Sequence, residues 1–333
     1  MFQYIYVEDA IREHPQTQET LLKYPRATVV PCQRYGEIFN RKGQNFRLQK
    51  KSASLILAEK HGKTVLPTPP DYGIGGKNNY YFSHMLNCVF DCRYCFLQGM
   101  YQSAHMVHFV NHESFKEGII NTCTEHTGED VYFFSGYDCD SLAMNPITGF
   151  LEDFLPFFAE NPRAILELRS KSVYIRQLLK HEAFPNCVVA FTLSPDSIQK
   201  QFEAKTPSLD KRLEAIEKLQ KHGWKIGLRF DPLIFCQNYE NIYRDFFENV
   251  FSRVDLNSVH SMTMGTFRLP KGNFAKMKQL YPDEKLFAGP LEKKGSTVSY
   301  EENLEKSLLS FCHNEIAQYT STEKLFMYPE LNS

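Results

Sequence analysis

The 333-residue sequence lacks a leader-like start: MFQYIYVEDAIREHP has no basic stretch running into an apolar one, and no run of about 18 uncharged apolar residues occurs anywhere in the chain. A secreted or membrane-spanning protein is therefore not expected, and the chain reads as cytoplasmic. It also lacks net charge, with 38 Lys+Arg against 39 Asp+Glu, so nothing in the total marks a nucleic-acid binder and any such contact must come from local patches. Internal repeats and low-complexity segments are absent as well. Apolar residues make up 42% and charged residues 23%, which excludes extended disorder and leaves enough chain for a barrel-type domain with extensions. Nine cysteines without an export signal stay reduced, so clusters among them point to metal binding or catalysis before disulfides.

From about residue 80, β-rich runs alternate with helical patterns. The runs are YYFS (80–83), VYFFS (131–135), AILELRS (164–170), VVAFTLS (188–194), KIGLRFD (225–231) and VHSMTM (259–264). Between the fourth and fifth, SLDKRLEAIEKLQKHG (208–223) keeps Leu209, Leu213, Ile216, Leu219 and Gln220 at helical spacing and ends on Gly223. Six strand–helix units predict parallel α/β structure, an incomplete (β/α)6 TIM-like barrel or a doubly wound sheet. Residues 1–75 predict an N-terminal α/β extension, 76–260 the core, and 261–333 a C-terminal region of hairpin and helix. The segment LPTPPDYGIGGKNN (66–79) supplies the first boundary, and its GIGG reads as a turn because no Lys-Ser/Thr follows. In such a fold the strand C-termini meet on one face, which here gathers Ser135-Gly136-Tyr137-Asp138-Cys139, Arg169-Ser170-Lys171, Ser194-Pro195 and Asp231-Pro232.

After the first run comes CVFDCRYC (88–95), which spaces Cys88, Cys92 and Cys95 as C-x3-C-x2-C; the next cysteine, Cys123, lies a helix away. Thiolates are soft ligands and select zinc, copper(I) or iron–sulfur. A structural zinc ion needs a fourth ligand, for which His84 or His105 are the candidates, and the chain would then be a zinc-stabilised nucleic-acid module. The other solution is a 4Fe-4S cluster held at three corners.

The spacing, with Tyr94 just before the last cysteine, resembles the radical S-adenosylmethionine (SAM) signature. The likeness extends through CRYCFLQGMY (92–101), SGYDCDSL (135–142), ELRSKS (167–172), FTLSPDSIQKQFEAKTPSLDKRLEAI (191–216) and TMGTFRLPKGNFAKMKQLYPDEKL (263–286), which together resemble the spore photoproduct lyase family. The resemblance implies a 4Fe-4S cluster on Cys88, Cys92 and Cys95, with S-adenosyl-L-methionine on the open iron. It also implies one-electron cleavage of SAM to a 5′-deoxyadenosyl radical, a reducing donor such as flavodoxin or ferredoxin, and ultraviolet-damaged DNA as substrate. In that chemistry the radical takes a hydrogen from a thymine–thymine lesion, the crosslink fragments, and a cysteine returns a hydrogen. A radical SAM enzyme of the same fold with another nucleic-acid or nucleotide substrate is the neighbouring expectation.

The family likeness places the returning cysteine at Cys139, in a loop that departs from the family pattern at Gly136-Tyr137 and the flanking aspartates. It implies cofactor contacts from Lys171, matching the lysine that meets the methionine carboxylate, and from Ser135, Gly136, Ser141 and Ser194. Tyr94 is expected to relay hydrogen together with Tyr101 or Tyr137. Arg268 and Lys271, in FRLPKGN, resemble the family hairpin that inserts at the lesion, with Lys276 and Lys278 following. A second basic run, FNRKGQNFRLQKK (39–51), interleaves Phe39 and Phe46 with Arg41, Lys42, Arg47, Lys50 and Lys51; such a run usually makes a solvated face, and otherwise adds to DNA contact.

Overall fold

The computed structural model describes residues 2–70 and 72–328. Met1, Asp71 and residues 329–333, which include the outer ends of the first and third expected segments and one position of the expected turn, lie outside them. Two sheets organise the chain. In the first, Tyr4–Glu8 runs parallel to both Thr28–Cys32 and Leu55–Ala58. The sheet continues past the expected boundary at 75, because Met106–Phe109 pairs parallel with Leu55–Ala58 and Met85–Leu86 pairs antiparallel with Met106–Phe109. The N-terminal unit is thus completed by strands from the core, over an apolar layer of Ile5, Val7, Leu55, Leu57, Met85, Met106 and Val110.

The second sheet carries all six strands expected from the sequence, as Asn78–Phe82, Val131–Phe134, Ala164–Ser170, Cys187–Thr192, Lys225–Leu233 and Val259–Thr266, paired parallel in chain order. Two edge strands were not expected. Val65–Pro67 adds antiparallel at one edge and Leu325–Tyr328 adds parallel at the other, which makes seven parallel strands. The sheet keeps two distinct edge strands, so the arrangement is a half-barrel and not a closed one. Cys187–Thr192 is buried at every position, as expected for a parallel strand covered on both faces.

The helix Leu209–Lys221 forms as its pattern predicts. Ser208 caps it by accepting from Lys211 N, Leu209, Leu213, Ile216 and Leu219 are buried, and Gly223 takes φ +97° just beyond its end. Gln220, on the same face, bonds Ser258 Oγ at 2.6 Å and the carbonyl of Asp255 at 2.8 Å. The 73–76 segment is a loop and not a phosphate cradle: a side chain at Gly76 would stand 2.2 Å from the Tyr132 ring, and the Tyr328 hydroxyl bonds both N and O of Gly73. After the sixth strand the chain forms a three-stranded antiparallel sheet from Arg268–Pro270, Leu291–Lys294 and Thr297–Tyr300. The helices Lys271–Leu280 and Glu302–Ala317 flank its strands in sequence. Among the described residues no helix is long and apolar enough to cross a membrane.

Candidate active site

One cavity of about 470 Å³ opens at the C-terminal ends of the parallel strands. Gly136 and Tyr137 follow the second strand, Ser170 ends the third with Lys171 just beyond it, and Thr192 ends the fourth. Asp231 and Pro232 come from the fifth, Phe267 and Arg268 follow the sixth, and Tyr328 ends the seventh. The loop after the first strand brings Cys88, Cys92 and Cys95 into the same space.

That loop is fixed from both ends. Asn87 takes a left-handed φ of 69°, which asparagine tolerates better than most residues, and its side-chain amide donates to the carbonyls of Ser103 and His105 at 2.8 and 2.7 Å. Asp91–Cys92 pairs antiparallel with Glu203–Ala204, and Arg93 N donates to Phe202 O at 2.8 Å. Below this pairing Glu203 and Arg212 form an ion pair with both side chains fully buried. Burial alone would raise the Glu203 pKa, but Arg212, Lys171 and the hydrogen bond from Tyr94 together outweigh it and hold the carboxylate below its usual range. Glu203 also accepts from the Tyr94 hydroxyl and, at 3.0 Å, from Ser194 Oγ.

The trio is a set of soft thiol donors on one loop, the donor type that an iron–sulfur cluster takes. All three cysteines are unpaired thiols. Burial pushes each pKa up, Cys88 to about 12 and Cys92 well above the ordinary value, so they stand as neutral thiols until a metal displaces their protons. Among the described residues no three His, Cys, Asp or Glu groups converge closely enough to hold one metal ion. The histidines proposed as a fourth ligand are engaged elsewhere. His84 is buried and stacks on Phe150 with ring centres 3.9 Å apart, while His105 Nδ1 accepts from Ser54 N at 3.0 Å. Neither lines the cavity, so neither histidine supplies the fourth corner of a closed zinc site.

Lys171 lines the cavity with its ammonium 5.3 Å from the Tyr94 ring centre. Burial would lower its pKa, but Cys92 and Glu203 outweigh that and raise it, so the cation is retained. Gly136 has no room for a side chain: a Cβ would lie 2.8 Å from both Arg169 O and Ser141 Oγ. The bare backbone it leaves facing the cavity is the kind of surface a small ligand packs against. Ser135, Ser141 and Ser194 do not reach the cavity. Ser135 Oγ and Ser141 Oγ lie 2.9 Å apart, Ser135 also donates to Glu167 O, and Ser194 is spent on Glu203.

Cys139 is 7% exposed and does two things at once. It packs into the apolar layer of the N-terminal unit with Met85, Val110 and Met144, and it lines the cavity. Its thiol donates weakly to Ser135 O at 3.6 Å. Burial, reinforced by Cys88, raises its pKa well above the ordinary value, so the S–H bond stays intact at neutral pH.

The sequence placed Tyr137 and Asp138 at this face but gave no sign of the contacts they and Asp140 make. Asp140 ties two strand ends together by accepting from Leu142 N, Ala143 N, Ser170 Oγ and Lys171 N at 2.7–3.0 Å. Asp138 accepts from Ser83 and from the Tyr101 hydroxyl, the latter at 3.1 Å. Tyr137 stacks on Tyr81 with centres 4.4 Å apart and stands 5.7 Å from Phe96. The one available clue was aspartates beside a cysteine, which gives polarity without direction.

The basic residues divide. Arg268 belongs to a strand and not to a hairpin tip; it lines the cavity and grips Asp231 through two contacts of 3.1 and 3.2 Å. Lys271 is the exposed first residue of the helix Lys271–Leu280 and stays outside the cavity. The hairpin of this region is Leu291–Lys294 with Thr297–Tyr300, and Thr297 reaches the cavity. The run 39–51 is not wholly a solvated face, since Phe39, Phe46 and Lys50 are all buried.

A family model described as spore photoproduct lyase matches residues 76–303. The chain is 24% identical over 294 residues to the spore photoproduct lyase of Bacillus subtilis (strain 168), covering 85% of this chain and 83% of that protein. It is also 24% identical over 208 residues to that of Geobacillus sp. (strain Y412MC61), covering 60% and 59%. Among solved structures, a double mutant of spore photoproduct lyase with bound AdoMet and dinucleoside spore photoproduct superposes with a TM-score of 0.83 at 18% identity. Spore photoproduct lyase complexed with dinucleoside spore photoproduct gives 0.82 at 18%, and each comparison covers 98% of both chains. At that identity the structural likeness carries the fold, a curled sheet rich in parallel strands. With the family model covering well over half of its residues, the chain belongs to the spore photoproduct lyase family.

Proposed function

We propose that this protein is a radical SAM lyase that reverses a thymine–thymine photoproduct in ultraviolet-damaged DNA, within an incomplete parallel barrel of (β/α)6 type extended by one further strand. The observation that carries this reading is the meeting, in one cavity, of three thiols on a pinned loop with a retained ammonium, Lys171, and a protonated thiol, Cys139. Cys88, Cys92 and Cys95 would hold a 4Fe-4S cluster, and Lys171 and the bare backbone at Gly136 would hold S-adenosyl-L-methionine. Ser135, Ser141 and Ser194 support that wall from behind. When bound, the two cofactors supply one-electron cleavage of a sulfonium–carbon bond and the carbon radical that follows from it.

The rest falls to the chain's own residues. Cys139 returns a hydrogen atom to the substrate: its S–H is weaker than a C–H bond, and burial keeps it from ionising. Tyr94 presents its ring to the cavity but donates its phenol to Glu203, so it passes hydrogen only after that bond opens. Arg268 faces the lesion from the cavity wall, and exposed Lys271 meets a phosphate outside it. The electron comes from a small reducing partner such as flavodoxin or ferredoxin. The test is anaerobic reconstitution with SAM and irradiated DNA, followed by product analysis. Wild type is expected to restore thymines, and Cys139→Ala to cleave SAM while diverting or stopping normal product. Normal repair by Cys139→Ala would remove Cys139 from the mechanism, and absence of any lesion turnover by wild type would overturn the assignment.

A further inference from the structure

Two lysines line the cavity of the cysteine loop, and only one of them belongs to the main sheet. The other, Lys50, comes from the N-terminal unit, at the end of the short helix Phe46–Lys51. Asn45 caps that helix by accepting from Leu48 N at 3.1 Å, and Phe46, 4% exposed, anchors its first turn. Arg47 lies 5.2 Å over the Tyr281 ring, and Lys205 Nζ donates to the Lys50 carbonyl at 3.0 Å. The position of Lys50 is therefore set by four separate contacts.

Lys50 is 9% exposed, and its ammonium donates to the carbonyl of Cys88 at 2.5 Å. Among the described residues no carboxylate lies within ion-pair distance of it. A buried ammonium bonded to a neutral carbonyl is costly, and such a site is completed by an anion. Lys171 stands beside Tyr94, 5.3 Å from its ring centre, whereas Lys50 stands at the backbone of Cys88. The two cations thus flank different corners of the trio.

A cluster held by three thiolates carries net negative charge and gains more on reduction. Net charge and hydrogen bonds around it set its potential. We propose that Lys50 is the counter-charge of the iron–sulfur cluster, a positioning residue that holds the Cys88 corner through its carbonyl and raises the cluster's reduction potential. The inference rests on the functional reading above, since it needs a cluster on Cys88, Cys92 and Cys95. It gives the N-terminal unit a part in the chemistry: the segment that completes the first sheet also brings a charge to the metal.

The test compares full-length wild type, Lys50→Gln and Lys50→Arg after anaerobic reconstitution, by iron and sulfide content, by a redox titration followed by EPR without SAM, and by SAM affinity. Lys50→Gln is expected to hold iron and sulfide at the wild-type ratio with its midpoint moved to more negative potential, while Lys50→Arg stays at the wild-type value. A fully loaded Lys50→Gln at the wild-type potential overturns the proposal. So does an unchanged potential with weakened SAM binding, which assigns the lysine to the methionine carboxylate. If Lys50→Gln cannot be loaded, Lys50→Arg decides. Loading at the wild-type potential supports the counter-charge, and failure to load, or a shift of its potential, overturns it. Wild type that takes up no cluster sinks the functional reading itself, a result distinct from any of these.

Discussion

The two walls of the cavity are built in opposite ways. The cysteine wall comes from one stretch of eight residues, held by backbone pairing to 203–204 and by the side chain of Asn87. The facing groups Tyr72, Arg169, Asp231, Arg268, Thr297 and Tyr328 come from six separate places in the chain, and all but Thr297 hold one another through side chains. Arg268 is gripped by Asp231, and the Arg169 guanidinium lies 5.3 Å over the Tyr72 ring. On the function proposed above, the first wall holds a metal cluster, whose ligands must lie close together in the chain. The second has only to offer shape and charge to a substrate, and that can be assembled from anywhere the sheet brings strand ends together. A motif marks the first wall and nothing marks the second.

The largest expected effect tests that division directly. Cys92→Ala removes one of the three proposed ligands, so reconstituted protein is expected to lose most of its iron and all SAM cleavage, read by iron assay and by 5′-deoxyadenosine release. Arg268→Ala, on the facing wall, should keep iron and SAM cleavage at wild-type levels while losing lesion turnover. Equal loss of iron in both variants would show that the walls are not independent.

The same division explains what was legible. The six core strands were readable because runs such as Cys187–Thr192 are apolar but for a closing threonine. Leu325–Tyr328 was missed because its run is short and its neighbour in the sheet, Val259–Thr266, lies about sixty residues earlier with a small antiparallel sheet between. Met106–Phe109 was missed for a similar reason: MVHF has one histidine among apolar residues and serves another sheet. At the site, Cys88, Cys92 and Cys95 followed from spacing alone. The serines did not, because successive side chains at a strand end point to opposite sides, so Ser135 turns into the fold while Gly136 faces the cavity. Arg268 was legible as a cation but not as the partner of Asp231, thirty-seven positions away.

The next effect concerns what holds the cysteine wall in place. Arg212→Ala strands the Glu203 carboxylate, fully buried, among Tyr94 and Ser194. Breaking a buried pair from one side costs about 3–5 kcal/mol, so urea denaturation should show destabilisation of that size. Cluster content should fall with it, because Glu203–Ala204 is the strand that pins Asp91–Cys92. A loss below about 1 kcal/mol, the size ordinary for an exposed pair, would mean that Glu203 takes up a proton or that water reaches it.

The smallest effect lies outside the cavity, where the second wall meets solvent. Lys271 is exposed and has no ion-pair partner among the described residues, so Lys271→Ala should leave stability, iron content and SAM cleavage unchanged. If it meets one phosphate, removing it weakens DNA binding equally for damaged and undamaged sequences, and the slope of log affinity against log salt falls by about 1. Fluorescence anisotropy over a salt series reads both quantities. Arg268→Ala in the same series should behave differently, with affinity lost mainly for lesion-bearing DNA and little change in slope, because its charge is already matched by Asp231. A uniform loss from Arg268→Ala, or a lesion-specific loss from Lys271→Ala, would reverse the roles given to the two residues and with them the boundary between the cavity wall and the DNA-facing surface.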